Sequence, residues 1–148
     1  MKRAFTLLEL VFVVFILGIL ASLALTFSGK NKDEAKILKL KIDYEMLSSA
    51  LSLMRTQAEL KEINGFLSKL DNAKFNTPKE KLFYCDNKQD CSYSLLSSPI
   101  YSDFKSWMKI ASNQYRFFLN SKEYVDFIYN SKEGILECIN SKYCKDLQ

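Results

Sequence analysis

The sequence contains no histidine, and this absence narrows its chemistry more than any other feature. Histidine is the commonest general base near neutral pH and the commonest metal ligand. Without it, and with no phosphate-cradling glycine loop or nucleophile constellation, the chain is expected to be no enzyme and to hold no metal or cofactor. Glycine (4) and proline (2) are scarce in the 148 residues, so the residues that punctuate structure are few. A dominant charge is missing too, since 21 Lys and Arg face 17 Asp and Glu, for a net +4. Beyond Gly65, twelve basic residues stand against ten acidic ones, dispersed along the chain. That balance neither supports nor excludes contact with nucleic acid.

What the sequence does have is concentrated in its first thirty residues. Leu7 to Phe27 is almost wholly apolar, enough at about 1.5 Å per helical residue to cross most of a bilayer. Glu9 stands near the start of that run. A charged side chain costs roughly 2.5–3.5 kcal/mol at the centre of a membrane helix, and less towards its end. Such a residue is a functional candidate that needs a partner. An ordinary secretory signal or a plain membrane anchor accounts for Lys2, Arg3 and the apolar run, but gives Glu9 no purpose.

The chain then changes character. After Ser28-Gly29-Lys30-Asn31-Lys32, apolar residues fall at Ile37, Leu40, Tyr44, Leu47, Leu51, Met54 and Ala58. Alternating steps of three and four predict a helix with one buried stripe, its other face left for neighbours. This helix is expected to continue the apolar one, bent or straight at Gly29, and to stop at Asn64-Gly65. Phe66 to Lys105 holds Pro78 and Pro99 and predicts only a short helix over Phe66 to Ala73. In the last third, Tyr115, Phe117 and Leu119, then Val125, Phe127 and Tyr129, then Leu136 and Cys138, repeat every second residue. Asn-Ser-Lys recurs at Asn120, Asn130 and Asn140, and Gly134 suits a bulged turn. These spacings predict an antiparallel meander, with Trp107 to Ile110 as a first strand. The fold expected is α+β: a long N-terminal helix packed on a small C-terminal antiparallel sheet.

Four cysteines remain, Cys85, Cys91, Cys138 and Cys144, in two pairs with five residues between the members of each. In an exported domain an even count suggests disulfides, with three connectivities open and local pairing preferred. The rival is a four-cysteine zinc site, whose motifs favour two to four intervening residues. Calcium at Asp86 and Asp90 is disfavoured by Lys88 between them.

The string Lys2-Arg3-Ala4-Phe5-Thr6-Leu7-Leu8-Glu9-Leu10, with the apolar run after it, resembles the N-terminus of type IV pilins and type II secretion pseudopilins. The resemblance implies a leader, 1–4, cut by a prepilin peptidase between Ala4 and Phe5, and methylation of the new Phe5 amine. It also implies a partner for Glu9, the Phe5 amine of a neighbouring subunit. Ala4 stands where the family usually has glycine, and Thr26 near a frequent proline. The implied organisation is a membrane and fibre-core helix over 5–28, its amphipathic continuation over 29–64, and a periplasmic domain over 65–148. A single-pass inner-membrane protein with a cytoplasmic N-terminus is expected, drawn from lipid by an assembly platform into a pseudopilus with other subunits. The machine is a secretion system or a DNA-uptake apparatus, with direct DNA contact weakly supported. An adhesive or twitching pilus and an anchored binding protein that never polymerises are the alternatives.

Overall fold

A computed structural model describes residues 7–27, 30–61, 65–86, 94–139 and 141–147, without the side chains of 23–27, 30 and 31. It divides into two units, Met1–Lys36 and Ile37–Gln148. In the first, helix α1 runs over Leu7–Phe27 and passes through Thr26 without a break. Its described side chains, 7–22, are all exposed. Among the described residues no helix is long and apolar enough to cross a membrane. Helix α2 starts at Lys30 and ends at Leu60, while Gly29 lies outside the described residues.

In the second unit, the three-and-four spacing works as expected. Leu40, Leu47, Leu51 and Met54 of α2 are buried, with Ile37 and Tyr44 packed at the margin of the same core. Gly65 takes a φ of +103°, the left-handed conformation suited to a stop after the helix. Four strands, β3 (Trp107–Ala111), β4 (Gln114–Phe118), β5 (Tyr124–Asn130) and β6 (Ile135–Ile139), form an antiparallel meander in that order. Tyr115 faces Phe127 across β4 and β5, and Tyr129 faces Leu136 across β5 and β6. Because side chains alternate along a strand, the period-two residues Tyr115, Phe117, Val125, Phe127, Tyr129 and Leu136 enter the core together.

The repeated asparagines turn the chain. Asn120 Oδ1 accepts from the Lys122 and Glu123 amides, and Asn130 Oδ1 from the Lys132 amide. These are side-chain mimics of a backbone turn. Asn140 lies outside the described residues, but Ser141 after it caps a short 3-10 helix over Lys142–Asp146. Trp107 is the hub of the core, its ring 5.3 Å from Phe117, 4.9 Å from Phe127 and 5.6 Å from Phe83. Its indole N–H donates to Asp43 Oδ2 at 2.9 Å, which fastens α2 to the sheet.

The short helix expected over Phe66 to Ala73 is not formed. Asp71 is fully buried there, and its carboxylate accepts the Ala73 and Phe83 amides, the Lys109 ammonium and the Tyr115 hydroxyl. A side chain that captures backbone amides in this way competes with helical bonding. The same carboxylate helps hold Phe83 at φ +56°, a left-handed conformation unusual for a bulky residue. A two-stranded sheet of β1 (Lys81–Leu82) and β2 (Ile100–Tyr101) completes the region.

Candidate assembly site

Glu9 lies in the first turn of α1, where a negative charge is favoured by the helix dipole. Around it the helix offers water an apolar surface, from Leu7 at 81% exposure to Ile16 at 40%. Ala4 and Phe5, the residues implicated in cleavage and methylation, lie outside the described residues. A row of exposed leucine, valine, isoleucine and phenylalanine on one helix is a surface built to be covered.

Helix α2 carries a second apolar row within the Ile37–Gln148 unit. Leu38, Ile42, Met46, Leu53 and Leu60 are all exposed. At 3.6 residues per turn, steps of four, four, seven and seven keep them on one face, opposite the Leu40–Leu47–Leu51–Met54 stripe. The sequence reading assigns that face to neighbouring subunits without identifying this row. Its signal was present in the spacing, but the more regular core stripe conceals it.

Cys138 and Cys144 are joined, six residues apart with Cα atoms 5.4 Å from each other. This local pairing ties the end of β6 to the 3-10 helix. Cys85 is disulfide-bonded as well, and Cys91 lies outside the described residues. With three of the four cysteines in disulfides, a four-cysteine zinc site is closed off. Asp86, the described member of the disfavoured calcium pair, binds Lys81 at 3.2 Å.

Elsewhere several charges are paired. Arg116 reaches Asp126 with two bonds while stacking 3.7 Å over Tyr124, and the carboxylate raises its pKa further. The Lys142 ammonium, bonded to Glu123, draws that exposed carboxyl below its ordinary value. Lys109 and Asp71 meet at 2.7 Å in the interior, a position sequence reading missed because neither residue breaks an apolar pattern. Burial, and then the Asp71 charge, push the Tyr115 hydroxyl well above the usual tyrosine range.

Residues 1–25 match the family model described as the prokaryotic N-terminal methylation motif. The chain has a prepilin-type N-terminus. It is also 37% identical, over 81 residues, to the type II secretion system core protein G of Klebsiella michiganensis. That match covers 55% of this chain and 47% of the relative, so the chain spans about half the length of the curated protein it matches. No solved structure gives a significant match. Motif and relative together support the pilin-like, pseudopilin family, and the helix-on-sheet architecture is that of a pilin-like fold.

Proposed function

We propose that this pilin-like chain is a structural, non-catalytic subunit of a type II secretion pseudopilus. The observation that carries the reading is the coincidence of the methylation motif with α1, a helix whose described side chains are exposed and, at nearly every position, apolar. In this reading the chain waits in the inner membrane with its N-terminus in the cytoplasm and its domain in the periplasm. Prepilin peptidase cuts before Phe5 and the new amine is methylated. The assembly platform then moves α1 from lipid into a fibre of like helices, where apolar side chains exchange lipid for one another. Glu9 and the Phe5 amine of the next subunit form a pair that sets axial register. Burying either charge alone is strongly unfavourable, at about 3–5 kcal/mol when one partner is removed, so subunits out of register are rejected.

The secretion machine is preferred over DNA uptake because of the relative's identity. The basic residues of the domain are dispersed along the chain, and Lys81, Arg116 and Lys142 are each engaged by a carboxylate. Non-specific DNA binding depends on several unneutralised phosphate contacts. The decisive test is Glu9→Ala expressed with the native machine. The variant is expected in the membrane fraction at normal abundance and absent from isolated fibres. Fibres containing it at the wild-type level would refute the pairing and favour an anchored protein that does not polymerise.

A further inference from the structure

The side of the domain where α2 runs beside β6 carries chemistry that fibre assembly through α1 does not use. Strand β6 is an edge of the sheet, following β5 with no strand beyond it. The Tyr129 amide donates to Asn113 O on the β4 side, so Tyr129 and its partner Leu136 form a non-hydrogen-bonded pair. By strand alternation, the backbone groups of Leu136 and Cys138 therefore point outward from the sheet. Tyr44 of α2 donates to the Leu136 carbonyl at 3.2 Å. Among the described residues, the Leu136 amide and both backbone groups of Cys138 have no such partner.

Beside this edge lies a groove of about 420 Å³, lined by Tyr44, Ser48, Ser52 and Arg55 of α2 and by residues 134–138. Arg55 is its cation. The Nε atom is buried without a hydrogen-bond partner, and among the described residues no carboxylate forms an ion pair with Arg55. Its stem is pinned. A Cβ on Gly134 would come within 3.1 Å of Arg55 Cγ and 2.9 Å of Phe66 Cγ, so glycine is what lets the arginine lie against the β5–β6 turn. Two carboxylates are near in sequence or lining. Glu59 is exposed one turn further along α2, and Glu137 is exposed on the sheet face opposite buried Leu136. Neither pairs with Arg55.

We infer that the α2–β6 groove takes an extended, acidic segment of a partner protein, which adds as a strand beside β6 and places a carboxylate on Arg55. An open edge supplies main-chain hydrogen bonds, and the groove beside it supplies selectivity through the side chains that alternate into it. A guanidinium with an unsatisfied, desolvated N–H is suited to a carboxylate, because charge-assisted bonds are the strongest available to it. The disulfide to Cys144 holds the end of β6 in place, so the edge is presented as a rigid template.

The test uses the full chain in detergent micelles and two capped peptides, acetyl-Thr-Val-Glu-Val-Thr-amide and the same peptide with Gln in place of Glu. Amide NMR shifts of Leu136 and Cys138 are followed during titration. The glutamate peptide should move both amides and bind at least tenfold more tightly than the glutamine peptide. Arg55→Gln should make the two peptides equal, and Arg55→Lys should restore part of the difference. Equal binding of both peptides to the wild-type chain, or no shift at Leu136 and Cys138 at millimolar peptide, overturns the proposal. The wild-type comparison decides the matter even if Arg55→Gln fails to fold. The outcome is independent of whether α1 enters a fibre.

Discussion

Two buried tyrosines show how much a single hydroxyl's surroundings matter. Tyr115 donates to Asp71 Oδ2 at 2.9 Å, inside a carboxylate network that also holds Lys109 and two backbone amides. Tyr129, on β5 beside the β6 edge and in the same core, has a buried hydroxyl with no partner among the described residues. Removing a paired hydroxyl loses a bond to a charged group, whereas removing an unpaired one relieves a desolvated donor. Tyr115→Phe should therefore lower unfolding stability by about 1.5–3 kcal/mol, and Tyr129→Phe should leave it unchanged or raise it by up to about 1 kcal/mol. Denaturant unfolding of both variants measures the contrast, and equal losses would contradict it. The same pair predicts an alkaline limit. Burial pushes Tyr129 up to about 12 from an ordinary value near 10, and raises Tyr115 as well. Between those pH values the unfolded chain releases protons that the folded chain retains, so stability is full below pH 10 and declines as pH rises towards 12. That decline should be shallower in Tyr129→Phe.

At the scale of elements, α2 is apolar on two opposite faces, and they should respond differently to substitution. Leu47 is fully buried against the sheet, so Leu47→Ala should cost about 2–5 kcal/mol. Ile42→Ser with Met46→Ser touches only the exposed row and should change stability by no more than about 0.5 kcal/mol per site. In the pseudopilus reading the double variant should still enter fibres less efficiently, as counted by its abundance in isolated fibres. Unchanged incorporation would leave the outer row without a role in assembly. The sequence made one face of this helix plain because Leu40, Leu47, Leu51 and Met54 recur at helical spacing. The meander was equally legible, since Tyr115 to Phe117 and Val125 to Tyr129 alternate between turn-forming asparagines. Phe66 to Ala73 was misread as helix because Asp71 acts chiefly through Phe83, Lys109 and Tyr115, three partners distant in sequence, and no local pattern reports them. Arg55 and the open β6 edge were invisible for a related reason: they arise from where α2 passes the last strand, not from a motif.

For the whole molecule, the account rests on one transformation of its N-terminus. The motif covers 1–25 and takes in most of helix α1, which has an exposed apolar surface and Glu9 in its first turn. The proposed register pair between Glu9 and a neighbour's Phe5 amine requires the chain to be cut before Phe5, since an uncut chain would carry its amine four residues further away. Ala4 occupies the position before that cut, where glycine is usual in similar sequences, so processing is the step on which everything later depends. The most direct measurement is the intact mass and N-terminal sequence of the protein purified from its native membrane. The account predicts a chain that begins at Phe5 and carries one added methyl group. A mature chain that begins at Met1 would contradict it, and with it the proposed pairing of Glu9 with the Phe5 amine.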